Sequence, residues 1–384
     1  MLGIQVTLVT IALSTTTLVY QSVATQYTPR LLVLASPTAP LYREISLFVL
    51  NSSYTLAGIH RLGLSAAGME PRPVVLGGLL LVIVALTSVL VTIAKTFRHL
   101  QVEEILRGAR DETLISARRL ARARSSLPSP VRPPPSSASE RMTILAPKSG
   151  YVVGFDLARL KRYAHRFGLR VRIDQTFGGF VACGDRVGWF AAATDARREH
   201  VAEALGASVL IAGRRNSFLD VGFGLRVLAD IADRALSAAI NDPTTARQTL
   251  HQIRTVLLEL VRMPPGDVLL FDHGPAQVSI ALPRFQDYLA TALDGPIHYG
   301  SGDANVVAEI LDLARELGEA TDCLDRRAAA RSVAERALAA ATHRREIEPA
   351  RLASLKEAAR AVALALKEEP PAAECCPSSD PPVC

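Results

Sequence analysis

The chain has 384 residues, a formal charge of +6 and a pI near 9.2, enough length for more than one domain and enough basicity to raise nucleic acid as a partner. The basic residues are not interleaved with aromatics in the way that stacks bases, so nucleic-acid binding is excluded from the expected partners. A mean hydropathy of +0.21 is high for a water-soluble chain, and the apolar excess lies before residue 97.

In chain order, residues 1–97 read as a membrane domain with helices at about 3–24, 44–61 and 74–96. The third is the longest apolar run, and the second is short enough to require tilt or snorkelling by Arg43 and Arg61. Along the first, Thr7, Thr10, Ser14, Thr17 and Gln21 recur at three-four spacing and lie on one face. Their hydroxyls either bond within a packing seam and to their own carbonyls, or line a polar pathway. Residues 98–126 form a basic juxtamembrane helix. Arg98, Arg107, Arg110, Arg118, Arg119, Arg122 and Arg124 follow the last apolar run and place that end on the cytoplasmic face of the membrane, with the lipid bilayer as partner. Residues 127–140 are a Pro/Ser-rich spacer.

Residues 141–213 read as a small β-rich domain. Strands fall near 143–146, 150–155, 169–174, 180–182 and 186–191, with one helix over 157–167 capped by Asp156 and stopped by Gly168. The phrases APKSGYVVGFD and GGFVACGDRVGWF resemble the two halves of a barrel-sandwich module. A helix near 195–205 and a strand at 207–212 follow. Residues 214–368 are mainly helical, with helices at 221–238, 243–262, 283–293, 303–321, 323–342 and 349–367 and a hairpin around Asp272–Gly274. The Ala- and Arg-rich last helices suit a solvated bundle or an oligomer contact, and residues 369–384 are a disordered tail. The expected fold class is therefore a multi-spanning α-helical membrane domain followed by a cytoplasmic α+β domain, assembled as a homo-oligomer.

The most sharply written stretch is LSAAINDPTTARQTL, residues 236–250. Asp242 before Pro243 is a strong helix start, because Asp accepts from free backbone amides and Pro lacks only an N–H that would have been unpaired. Arg226 and Asp230 stand four apart on the preceding, otherwise apolar helix. If the two helices pack side by side, Asn241, Asp242, Thr244 and Thr245 crowd one end. Carboxylate and hydroxyl oxygens there suit a hard cation, and the helix amino terminus suits an anion. The other reading is a capped helix junction with a surface ion pair.

Five cysteines without CxxC or Cys/His spacing, dispersed histidines, and the absence of HExxH, GxSxG or a phosphate-binding glycine loop leave no expected metal, cofactor or catalytic residue, and enzyme chemistry is not expected.

DVGFGLRVLADIADRALSAAINDPTTA (220–246), VYQSVATQYTPRLL (19–32), SGYVVGFD (149–156), FVACGDRVGWF (180–190) and IHYGSGD (297–303) occur in an order that resembles the bacterial predicted membrane proteins of domain of unknown function 2254. The resemblance extends to about residue 365 and implies an N-terminally shortened member, with one membrane helix of the family lying before Met1. Ser237-Ala238 stands where the family favours Ser-Pro. The resemblance implies architecture and no mechanism. The functional expectation is an oligomeric channel or transport-related protein with a cytoplasmic regulatory domain; the alternative is a membrane-anchored ligand-sensing or interaction scaffold.

Overall fold

The structure is a computed structural model. It describes residues 38–64, 72–99, 102–125, 141–191, 198–215, 220–263, 267–344 and 346–366, with scattered helical positions between 3 and 21. The 127–140 spacer, the 369–384 tail and the TPR segment near residue 29 lie outside the described residues. The chain divides into two compact units, residues 1–109 and 110–384.

In the first unit, α1 (Thr38–Leu64) packs on α2 (Arg72–His99). Gly77 permits the approach, since a methyl there would overlap the Tyr54 hydroxyl. Asn51 is 1% exposed, and neither polar atom of its carboxamide has a hydrogen-bond partner among the described residues. Such a group costs several kcal/mol in apolar surroundings. Many large apolar side chains point outward instead, among them Ile45, Val49, Leu50 and Leu56 of α1 and Val75, Leu76, Leu79, Leu80, Ile83, Leu86 and Leu90 of α2.

The expectation of a multi-spanning membrane domain is corrected here. Among the described residues, no helix is long and apolar enough to cross a membrane. A bilayer core asks for about 20 consecutive apolar residues. Residues 51–55 of α1 read Asn-Ser-Ser-Tyr-Thr and interrupt its apolar run.

The second unit begins within α3 (Val102–Ser125). Its strands are β1 (Arg141–Leu145), β2 (Gly150–Phe155), β3 (Arg170–Ile173), β4 (Phe180–Val181), β5 (Arg186–Ala191) and β6 (Val209–Ala212), with helices α4 (Leu157–Phe167) and α5 (Arg198–Gly206) between them. The helical part has α6 (Val221–Ala235), α7 (Pro243–Val261), α8 (Phe285–Gly300), α9 (Ala304–Glu319), α10 (Leu324–Arg344) and α11 (Pro349–Ala365). The hairpin β7 (Val268–His273) and β8 (Ala276–Ile280) interrupts it.

Helix α4 forms as its sequence predicts: Asp156 accepts from the Arg159 N–H, and Gly168 ends the helix at φ 60°. The β part is not a barrel-sandwich. Its sheets have the orders β1-β5-β3-β8-β7 and β4-β2-β6, and the first is mixed because β3 and β8 run parallel while the other neighbours are antiparallel. The late hairpin thus completes a sheet begun over a hundred residues earlier, and residues 141–213 and 214–368 share one framework. Leu160 and Ala164 of α4, Ile173, Val187, Phe190, Leu205 and Val278 form its core and are essentially inaccessible. Helices α6 and α7 pack on each other and on α8, and α10 and α11 cover α9. The last helices therefore bury one face, Ala330, Val333, Ala337, Leu355 and Val362, within the chain itself.

Candidate functional site

Two aspartates near the end of α6 and the start of α7 define the site. The chain enters α6 through Asp220, which is 5% exposed. It caps the helix by accepting from the Phe223 N–H at 2.9 Å and receives the Arg215 guanidinium through two bonds of 2.8 and 2.9 Å. Burial pushes this carboxyl up from its ordinary range, and Arg215 opposes the shift. Gly178, at φ 77°, lies against the pair, and a side chain there would overlap both partners. Gly224 lets α6 approach Thr113 of α3 just as closely.

Helix α6 ends at Leu236. The Ser237 hydroxyl donates to the Arg234 carbonyl at 2.6 Å, the Asn241 N–H to Ser237 O at 2.9 Å, and the Asp242 N–H to Ala235 O at 2.7 Å. These bonds reverse the chain and leave Asn241 at φ 50°, the one non-glycine residue with positive φ among the described residues. Asn tolerates that region better than most side chains. Asp242 then caps α7. Its Oδ1 accepts from the Thr245 N–H at 3.0 Å and its Oδ2 from the Thr245 hydroxyl at 2.6 Å. These bonds, helped by the Thr244 N–H, hold the carboxyl below its ordinary pKa. Pro243 occupies the first turn as predicted.

At the junction of Asn241, Asp242, Thr244 and Thr245, each oxygen of the Asp242 carboxylate accepts one hydrogen bond from Thr245 in the cap. Thr244 is exposed. No cluster of three or more metal-binding side chains occurs among the described residues.

Arg226 and Asp230 belong to a separate group completed by Asp233. The three stand at i, i+4 and i+7 and share one helix face. Asp233 enters a notch on α8: a methyl on Gly295 would overlap both of its carboxylate oxygens. Its Oδ1 is inaccessible and has no hydrogen-bond partner among the described residues. Burial first, and the neighbouring Asp230 second, raise this carboxyl to a pKa of about 7 against the pull of Arg226. The residue was not singled out from the sequence. Its spacing from Arg226 put it on the marked face, but its partner is a glycine in a helix expected to stop at residue 293.

Elsewhere the charged residues are tied into helix contacts. His251 Nε2 lies 2.9 Å from Glu309, which Arg247 also approaches at 3.6 Å, and Arg254 pairs with Glu316. Of the basic stretch on α3, Arg107 approaches Glu104, Arg110 bonds Asp111 and Gln252, and Arg118 approaches Glu259. The membrane-seam residues Thr7, Thr10 and Thr17 donate to the carbonyls of Gly3, Val6 and Leu13 at 2.8–2.9 Å, within their own helix. Gln21 also has a polar partner, and Ser14 is exposed.

The fold and the site define a class first: a helical and mixed-sheet protein with an outward-facing apolar helix pair at its start and an Asp-capped helix junction in its packed unit. The chain belongs to the DUF2254 family of predicted membrane proteins, whose sequence profile matches residues 1–316. It is similar to the uncharacterized protein Rv1290c of Mycobacterium tuberculosis H37Rv and to the uncharacterized protein Mb1321c of Mycobacterium bovis. Each is 28% identical over 326 residues, which cover 83% of this chain and 62% of the relative. The chain thus spans about three-fifths of the length of the curated relatives it matches. No solved structure matches it.

Proposed function

We propose that the protein is a membrane-anchored interaction scaffold at the bacterial plasma membrane: residues 1–109 hold it against lipid, and residues 110–366 present a rigid helical and sheet framework to partners. The observation that carries this reading is the set of large apolar side chains left outward on α1 and α2, from Ile45 to Leu90. A continuous apolar surface of this kind in water marks a lipid or protein contact. Family membership supports the membrane setting. The ligand-sensing form of the proposal loses its first support at Asp242, whose carboxylate is occupied by Thr245. Conduction loses its support in the first helix, where Thr7, Thr10 and Thr17 bond inward to their own backbone. Assembly of several copies through the apolar helices belongs to the same proposal.

The test is fractionation of the full chain expressed in a bacterial host. Recovery with membranes after an alkaline carbonate wash, and a multimer on sedimentation in detergent, are the expected results. Recovery in the aqueous fraction without detergent would overturn the lipid contact, and a monomer would overturn the assembly.

A further inference from the structure

Helix α8 contains Gly295-Pro296 in its interior. Proline has no N–H, so the carbonyl four residues earlier, Ala292, loses its ordinary α-helical donor. Ala292 is fully buried, which removes water as an easy substitute. A buried carbonyl without a partner costs free energy comparable to a lost hydrogen bond. In a helix the Cα–Cβ bond tilts toward the amino terminus, so a side chain at residue 295 would lie over the preceding turn, where the Ala292 carbonyl sits. Residue 295 is a glycine, and the space its side chain would fill is taken by the Asp233 carboxyl from α6.

A carboxylate is only an acceptor, whereas a carboxylic acid carries one O–H donor. We propose that Asp233 binds a proton and, as the neutral acid, donates it to the Ala292 carbonyl that Pro296 leaves open, making a proton-dependent clasp between α6 and α8. Ionisation deletes the donor and sets a buried negative charge against a carbonyl oxygen. The charged groups of its own helix that act on the site are Asp230, which favours proton uptake, and Arg226, which opposes it. On α8 the nearest charged neighbours of Gly295 in the chain are Asp294, tied to Arg336 of α10 at 2.6 Å, and His298. On α7, Arg247, His251 and Arg254 are engaged with Glu309 and Glu316 of α9. On α3, Arg110 is engaged with Asp111 and Gln252, and Arg118 with Glu259. The raised carboxyl agrees with the geometry, and the clasp stands independently of the scaffold reading.

Infrared difference spectroscopy of the full-length protein in detergent tests it directly. A protonated carboxylic-acid band that persists well above the ordinary Asp range, titrates near neutrality and disappears in Asp233→Asn is the expected result. In Pro296→Ala the helix regains its donor to Ala292. The band then shifts in frequency and its titration midpoint falls toward that of an ordinary carboxyl. Absence of the band in the wild type above pH 5.5 would overturn the proposal without any variant having to fold. Persistence of the band in Asp233→Asn, or an unchanged band in Pro296→Ala, would overturn it as well.

Discussion

Asp233 and Asp242 lie nine positions apart, one near the end of α6 and one at the start of α7, and their environments drive them in opposite directions. Asp242 is half-buried on a turn and finds a backbone amide and a hydroxyl within its own helix, so its charge is stabilised. Asp233 faces a neighbouring helix, meets a glycine notch and shares its face with Asp230, so its charge is disfavoured. The motif that stands out in the sequence, INDPTTA, is thus the half whose carboxylate is satisfied within its own helix. The chemically responsive half is an aspartate whose importance depends on another helix.

The largest expected effect comes from the core face of α6, the helix that carries Asp233. Leu228→Ala hollows the fully buried face of α6 and is expected to destabilise the protein by about 2–5 kcal/mol in chemical denaturation. Gly295→Ala fills the notch with a methyl and forces Asp233 out. A loss of about 1–3 kcal/mol is expected, together with loss of the pH dependence assigned to Asp233, read from the same denaturation curves at pH 5.5 and 8.

Two smaller effects carry opposite signs in pH. The folded pKa of Asp233 is raised from 3.8 to about 7, so the folded state holds the extra proton between those values. Its stabilising contribution is complete below about 3.8, falls as pH rises through about 7 and is absent above. The side chain is partly exposed, so the swing is about 1–2 kcal/mol once solvent screening is allowed for. Asp233→Asn should flatten it, and equal slopes in the two proteins would remove the assignment. Asp242 is lowered from 3.8, so its contribution is present above that value and fades as pH falls through the lower folded one. Asp242→Ala should cost about 0.5–2 kcal/mol at neutral pH, the worth of a cap, with a smaller loss in acid. Thr244→Ala, which touches neither group through its side chain, should change stability by less than about 0.5 kcal/mol; a larger loss would show that the junction has a further contact.

Local chemistry was legible in the sequence, and long-range contact was not. Asp156 and Gly168 bound α4, and Asp242-Pro243 starts α7, because caps are satisfied within a turn or two of chain. Helix α8 runs past the end expected at residue 293. Gly295-Pro296 looks like a stop when only local propensity is weighed, yet the helix continues to Gly300 because packing on α6 holds it. The pairing of β3 with β8 was equally hidden, since a parallel ladder between distant segments leaves no mark at either strand alone.

The amino-acid order by itself determined where the capped helices begin, which faces are apolar, and that Asp242 would cap its own helix. It also carried enough separated motifs to reach the family. Tertiary structure decided that the late hairpin joins the early sheet and that one oxygen of the Asp233 carboxylate is closed off from water. The physical reason is the range of the forces involved. Hydrogen bonds at helix ends are made by neighbours in the chain, whereas desolvation of a carboxyl depends on whatever element the fold brings against it.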